Sequence, residues 1–169
     1  LPLIARFPEY KWLVVPHDVG EESLRFWASK IPVPHVRWSQ LEAANGEGSS
    51  RTLHPENARA LVVDRVGLLF SLYSLASFAY VGGGRSDGQH NYWEPLAWGV
   101  PTAIAHEGLE ARPDAREAAD AGFLYPARKT EDLCEQWVHW QANPPQGCTD
   151  WMQQKCGASE ATLLAILQS

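Results

Sequence analysis

The segment that decides the fold is Tyr80-Val81-Gly82-Gly83-Gly84-Arg85-Ser86-Asp87-Gly88-Gln89-His90-Asn91-Tyr92-Trp93-Glu94-Pro95-Leu96-Ala97-Trp98-Gly99-Val100-Pro101. It continues a short apolar run, residues 78–81, that predicts a β-strand. A glycine-rich loop follows, and a helix is predicted from about Asn91 to the stop at Gly99. Glycines let a backbone approach a ligand closely, and a helix start favours negative charge. The segment therefore predicts an anion-binding site.

Two polar side chains lie in the first turn of this predicted helix. Asn91 offers an amide and Glu94 a carboxylate, and both groups can bond to sugar hydroxyls. Their spacing of three residues is also that of a capping box, in which they would serve only the helix start. Taken alone, the residues leave both interpretations open.

Composition predicts an ordinary globular protein. The chain has 169 residues, of which 45% are hydrophobic and 20% charged, which suffices for one domain with a core. The net charge is −6 and no cluster of lysine and arginine occurs, which argues against a nucleic-acid partner. We expect no transmembrane segment and no signal peptide, because no apolar run reaches the required length.

Cysteine and histidine usage bears on redox state and metals. The three cysteines, Cys134, Cys148 and Cys156, show no CxxC spacing, and the histidines are scattered. This pattern suits a reducing compartment and argues against a disulfide framework. We expect no metal site, because no set of residues has metal-ligand spacing.

Strand and helix patterns alternate along the chain. Strands are predicted at residues 11–15, 35–39, 60–64, 77–81, 101–105 and 123–125; helices at 1–5, 21–27, 68–76, 91–98, 114–121, 131–141 and 151–167; loops at 45–52 and 106–113. The helix at 68–76 is apolar on most sides and is predicted to be well buried. The alternation predicts an α/β fold with a Rossmann-like parallel sheet flanked by helices.

His17 follows the predicted strand 11–15 and precedes a predicted helix. Ligands bind at the carboxyl ends of strands in open α/β sheets, so His17 is a candidate binding residue. A lone histidine at such a position is more often a loop residue without a ligand, and the residues by themselves leave that interpretation open. A domain of this kind is expected to have a strand before the helix at 1–5, so we expect the chain to start part-way into a domain.

Several motifs resemble a known family. The strings Val62-Val63-Asp64-Arg65-Val66-Gly67-Leu68-Leu69, Leu72-Tyr73, Ala79-Tyr80-Val81-Gly82-Gly83-Gly84, Gly88 to Pro101 and Pro16-His17-Asp18-Val19-Gly20-Glu21-Glu22 are similar in order and spacing to the C-terminal half of 3-deoxy-D-manno-octulosonic acid (Kdo) transferases. The resemblance covers roughly residues 1–140. Gln89 departs from the family pattern, where a glycine is often found.

The resemblance implies one half of a GT-B fold, with residues 1–169 as a single C-terminal nucleotide-sugar-binding domain. It implies an enzyme, a glycosyltransferase that moves Kdo from CMP-Kdo to a lipid A precursor with inversion and without a metal or other cofactor. It also implies a peripheral location on the cytoplasmic side of the inner membrane of a Gram-negative bacterium.

The resemblance also assigns binding residues. Gly83 and Gly84 would line the phosphate and ribose, Glu94 would accept hydrogen bonds from ribose hydroxyls, Asn91 would orient the phosphate or sugar, and His17 would face the phosphate. The general base and the lipid A precursor site of the family lie on an N-terminal domain that nothing here matches. We therefore expect no catalytic residue in residues 1–169, and no activity from this chain alone.

Two other functions remain open. The chain could be the donor-binding half of another GT-B transferase, or of a sugar-nucleotide epimerase, that uses a UDP-sugar. It could also be a non-catalytic interaction module. A glycine-rich P-loop with lysine is absent, which argues against triphosphate binding.

Overall fold

The computed structural model describes residues 1–45, 55–83, 90–110 and 112–155. The helices are α1 (Pro2–Arg6), α2 (Glu21–Lys30), α3 (Trp38–Asn45), α4 (Leu69–Leu72), α5 (Trp93–Ala97), α6 (His106–Glu110), α7 (Pro113–Asp120), α8 (Thr130–Ala142) and α9 (Cys148–Gln154). The strands are β1 (Trp12–Val14), β2 (His35–Arg37), β3 (Ala60–Val62), β4 (Ala79–Val81), β5 (Thr102–Ala105) and β6 (Leu124–Ala127). Short 3₁₀ turns occur at Pro55–Asn57 and Tyr73–Leu75.

The chain divides into two compact units, Leu1–Leu69 and Phe70–Ser169. Among the described residues, each unit holds a three-stranded parallel sheet, with strand order β1-β3-β2 in the first and β4-β5-β6 in the second. Helices connect the strands, as parallel pairing requires. The predicted α/β class with parallel strands is confirmed.

The core of the first unit is small. Leu24 and Ile31 pack against Ala60 and Val62 of β3, and Val62 has no exposed surface. The strand β3 lies between β1 and β2. Central strands of parallel sheets are apolar along most of their length, and such a run can be recognised in the sequence.

The core of the second unit surrounds the central strand β5. Ile104 is fully buried and pairs in register with Val81 on β4 and Pro126 on β6. The same cluster holds Tyr92 and Leu96, both without exposed surface. Complete burial of a side chain of this size stabilises the fold by about 1.5–3 kcal/mol. The segment that begins α5 is thus part of the core and not a surface loop.

Aromatic rings pack α8 onto the rest of the second unit. The ring of Phe78 lies 5.1 Å from that of Trp137 and 5.6 Å from that of Trp140, measured between centroids. Both tryptophans are buried. The two tryptophans are therefore part of the packed interior of this unit.

The prediction of a well-buried helix over residues 68–76 is wrong. The helix α4 covers only four residues and passes into the 3₁₀ turn Tyr73–Leu75. Leu72 is buried, whereas Phe70 is 50% exposed and Leu75 is 75% exposed. The apolar content of a segment shows how much surface could be buried, but burial needs a second element to cover it.

The prediction of a charged loop at residues 106–113 is also wrong, because α6 and the start of α7 occupy it. A further helix, α3, lies mostly where no element was predicted. Both α3 and α6 are short and carry many polar residues, and such segments lack a strong apolar period. The predicted helix at 91–98 is shorter than expected, since α5 spans Trp93–Ala97.

The predicted helix stop at Gly122 is confirmed. Helix α7 ends at Asp120, and Gly122 follows shortly after it with φ 82°, a left-handed conformation that suits glycine.

Helix α9 begins earlier than the predicted start at 151. The predicted loop residues 46–52, the predicted helical residues 156–167, Cys156 and Gly84 lie outside the described residues. Across the described ranges, none of the helices combines the length and the apolar character needed to cross a bilayer.

A hydrogen-bonded carboxylate ties the start of α5 to the start of α7. Asp114 Oδ2 accepts a bond of 2.6 Å from the Tyr92 hydroxyl and one of 2.9 Å from Trp93 Nε1. Burial acts to raise the pKa of Asp114, but the bonds from Tyr92 and Trp93 outweigh it and hold this pKa below the ordinary value of 3.8. The guanidinium of Arg112 lies 5.8 Å from the centre of the Tyr92 ring. This network fixes the position at which α5 begins.

Replacement of Ile104 with alanine is expected to lower the free energy of unfolding by about 2–5 kcal/mol, because it leaves a cavity in the centre of the sheet. Urea denaturation measures this change. The matched control is Val138→Ala on α8, where the side chain is 53% exposed, and it should change stability by no more than about 0.5 kcal/mol. Equal effects of the two substitutions would contradict the assignment of Ile104 to the core.

Replacement of Asp114 with asparagine is expected to destabilise the protein at neutral pH by roughly 1–2 kcal/mol. A carboxylate whose pKa is lowered on folding contributes stability above its ordinary pKa, and this contribution is lost as the pH falls through the folded value. The difference between wild type and Asp114→Asn should therefore shrink as the pH falls below 3.8. Denaturation curves across this range test it.

The control for that series is Asp150→Asn, which changes an exposed carboxylate on α9. It controls for the loss of one surface negative charge and should lower stability at neutral pH by less than Asp114→Asn does. A constant difference between wild type and Asp114→Asn at every pH would show that the carboxylate charge is not what Tyr92 and Trp93 stabilise.

Candidate functional site

The carboxyl end of β4 opens into the candidate site. Gly83 follows this strand with φ 93°, in the left-handed region where a side chain would be strained. The backbone therefore turns sharply at the point where the sequence predicted an anion-binding loop. Its neighbour Gly84, also a predicted site residue, lies outside the described residues.

Asn91 and Glu94 lie next to each other at the start of α5. Asn91 Oδ1 accepts a bond of 3.1 Å from Trp93 N, and Asn91 Nδ2 donates a bond of 3.0 Å to Glu94 Oε1. The two side chains thus serve the helix start, as the capping interpretation predicted, although the pattern differs from a capping box. In a capping box, Asn91 would accept from Glu94 N instead.

This local pairing is compatible with a bound ligand. A carboxylate has two oxygens with about four lone-pair sites, and an amide nitrogen has two hydrogens. The single bond between Asn91 and Glu94 therefore leaves chemical capacity on both groups. It also holds the two side chains in fixed positions, which lowers the entropy cost of binding.

Tyr73 is a neighbour of Glu94. In the sequence it belonged to a motif of the resemblance, but it was not predicted to be a site residue. Burial, together with the negative charge of Glu94, raises the pKa of Tyr73 to about 12. Its hydroxyl is therefore protonated at neutral pH and can donate a hydrogen bond. The contact arises because the 3₁₀ turn Tyr73–Leu75 packs against α5, which no local sequence signal indicates.

His17 lies in the first unit, in the loop between β1 and α2, and its side chain is exposed. The loop is stabilised by a bond of 2.8 Å from Gly20 N to Asp18 Oδ1. Gly83, Asn91 and Glu94 lie in the second unit. A common ligand for His17 and these three residues stays a prediction.

Two further polar residues follow the other strands of the second sheet. His106 comes directly after β5 and Arg128 directly after β6, and Arg128 Nη2 lies 3.4 Å from His106 Nε2. Neither residue was predicted from the sequence to belong to the site. Their common position after predicted parallel strands was the signal that could have found them, because such strand ends meet at one edge of a sheet.

Metal binding has no obvious place in the described ranges. Nowhere in them do three or more histidine, cysteine, aspartate or glutamate side chains come together in a way that could hold a metal ion. The expectation that no metal or other cofactor takes part stays a prediction. What the site offers is a glycine turn, an amide, a carboxylate and a neutral phenol, and these groups suit binding of a polar ligand.

Comparison with known proteins gives two relatives. The chain is 37% identical over 98 residues to the 3-deoxy-D-manno-octulosonic acid transferase of Chlamydophila psittaci (strain ATCC VR-125 / 6BC). The match covers 53% of this chain and 22% of that protein, so the chain spans about a fifth of its relative. No protein-family model matches.

A solved structure has the same fold. The crystal structure of the C-terminal CMP-Kdo binding domain of WaaA from Acinetobacter baumannii matches 90% of this chain and 75% of its own chain, with a TM-score of 0.66 and 20% sequence identity. This likeness confirms the fold, an α/β half of the GT-B type. The sequence relative and the structural relative agree with the motifs, and they confirm that the chain resembles the C-terminal donor-binding domain of Kdo transferases.

Proposed function

We propose that this chain binds CMP-Kdo and forms the donor-binding part of a Kdo transferase, a glycosyltransferase of lipopolysaccharide biosynthesis. The observation that carries the proposal is the turn at Gly83 followed by the paired Asn91 and Glu94 at the start of α5. Both relatives support the same ligand, because one is named a Kdo transferase and the other is described as a CMP-Kdo binding domain.

Within this proposal, Glu94 accepts hydrogen bonds from the ribose hydroxyls of the nucleotide. Asn91 positions Glu94 through the bond of 3.0 Å and orients the phosphate or the sugar with its remaining N–H. Each hydrogen bond to a charged group contributes about 1.5–3 kcal/mol. Tyr73 stays protonated beside Glu94, because its pKa is raised to about 12. The site therefore holds one negative charge, that of Glu94, and not a second one from Tyr73.

The phosphate of the donor lies, in this proposal, at the turn that begins at Gly83. Gly84 and His17 stay sequence-based predictions for phosphate binding. Transfer breaks the bond between the anomeric carbon of Kdo and the phosphate oxygen, so negative charge develops on the departing CMP. Backbone N–H groups held at that position stabilise the charge where it appears. The chain's own contribution to the reaction is thus to bind the donor and to stabilise its leaving group.

The acceptor and the general base are not assigned to this chain. In this proposal, a lipid A precursor binds to another part of the enzyme. The base that activates its hydroxyl lies in that part as well. The enzyme then works as a peripheral protein on the cytoplasmic side of the bacterial inner membrane, where nucleotide sugars and the lipid precursor meet.

CMP is expected to raise the melting temperature of the chain more than UMP or UDP does at the same concentration, because a ligand that binds only the folded state stabilises it. Thermal unfolding with each nucleotide measures the difference. Equal protection, or a preference for UDP, would favour a UDP-sugar enzyme. No shift with any nucleotide would favour an interaction module without nucleotide binding.

Replacement of Glu94 with alanine is expected to weaken CMP binding about tenfold or more, because the ribose hydroxyls lose a charged acceptor. Isothermal titration calorimetry measures the dissociation constant. The matched control is Glu135→Ala, which removes an exposed carboxylate from α8 and should leave binding unchanged. Unaltered affinity in Glu94→Ala would remove Glu94 from the site.

A further inference from the structure

The contact between His106 and Arg128 is unusual because both side chains are of the basic type. Their nitrogen atoms lie 3.4 Å apart although the residues are 22 positions apart in sequence. A guanidinium can only donate hydrogen bonds, so His106 Nε2 is the acceptor in this contact. The imidazole therefore orients the guanidinium without neutralising its charge.

The side chain of Arg128 differs from those of the arginines that pair with acids. Within the described parts of the chain, its guanidinium forms no ion pair with a carboxylate. Two other arginines do pair with acids: Arg37 donates to Glu21 at 2.8 and 3.2 Å, and Arg65 donates to Glu42 at 2.9 and 3.1 Å. Among the described residues, no carboxylate thus binds the positively charged guanidinium of Arg128 directly.

The backbone at Arg128 is held in place. Asp132 Oδ2 accepts bonds from Arg128 N at 3.0 Å and from Lys129 N at 3.3 Å, so the carboxylate of α8 is committed to the backbone and not to the guanidinium. This anchor and the contact with His106 restrict the positions that the guanidinium can take. Less side-chain entropy is then lost when it binds an anion.

The pair lies at the edge of the sheet that is formed by the carboxyl ends of the strands. His106 follows the central strand β5 and Arg128 follows β6, while Gly83 follows β4 on the other side of β5. All three strands run parallel, so their carboxyl ends share one edge. A planar guanidinium at this edge matches the two oxygens of a phosphate or a carboxylate.

We propose that Arg128, oriented by His106, binds an oxyanion of the sugar nucleotide. This role rests on the proposed function and extends it to a residue that neither the motifs nor the comparisons assign. CMP-Kdo carries two such groups, the phosphate that joins nucleotide and sugar and the carboxylate of Kdo itself. The shared chemistry is an oxyanion with two oxygens, and the two sources differ in whether CMP alone contains it.

The test measures dissociation constants of the full 169-residue chain and of Arg128→Gln for cytidine, CMP and CMP-Kdo. Loss of the guanidinium should weaken CMP-Kdo binding roughly 10–100-fold and leave cytidine binding unchanged. An equal loss for CMP would assign Arg128 to the phosphate. A loss for CMP-Kdo alone would assign it to the sugar carboxylate.

Two further variants keep the test decisive. Arg116→Gln removes an exposed arginine from α7 of the same unit and should leave all three affinities unchanged. Arg128→Lys retains the charge without the planar fork and should bind CMP-Kdo more tightly than Arg128→Gln but more weakly than wild type. If Arg128→Gln fails to fold, a weaker affinity in the folded Arg128→Lys protein supports the proposal and an unchanged one overturns it.

The role of Arg128 and the proposed function fail in different ways. If wild type binds CMP-Kdo and Arg128→Gln binds it equally well, the role of Arg128 is wrong while the proposed function stands. If Arg116→Gln weakens binding as much as Arg128→Gln does, the effect is one of net charge and the role of Arg128 is wrong. If wild type binds neither CMP nor CMP-Kdo, the proposed function is wrong, and the role of Arg128 that rests on it is overturned too.

Discussion

Asp114 receives two hydrogen bonds from the residues that lead into α5, and the geometry of the candidate site depends on them. The Tyr92 hydroxyl and Trp93 Nε1 both point at one carboxylate oxygen, and Tyr92 is completely buried. Buried donors of this kind are costly to leave without acceptors, so the start of α5 is held where Asp114 lies. Asn91 and Glu94 take their positions from that constraint.

The parallel sheet of the second unit gathers polar residues at one edge. Gly83, His106 and Arg128 each follow one of its three strands, and strand register alone brings them to the same side. The core beneath them is apolar and closely packed around Ile104. A rigid base with polar strand ends above it is the arrangement in which α/β proteins place ligands.

The polar groups of this edge are already paired with one another. Asn91 bonds to Glu94, and Arg128 contacts His106. Such pairs hold side chains in position without using all their hydrogen-bonding capacity. The capping and binding interpretations of Asn91 and Glu94 are therefore two aspects of one arrangement: the helix start positions the groups that a ligand would meet.

Local patterns in the sequence determined the parallel strands, the α/β class, the helix stop at Gly122 and the resemblance to Kdo transferases, because apolar periods, glycine turns and motifs are properties of neighbouring residues. They missed α3 and α6, whose polar residues obscure the period, and they overestimated the burial of α4. Only the tertiary structure decided that Tyr73 lies beside Glu94, that Asp114 anchors α5 and that Arg128 meets His106. These contacts join residues about twenty positions apart, and chain packing and strand register, not local propensity, bring such residues together.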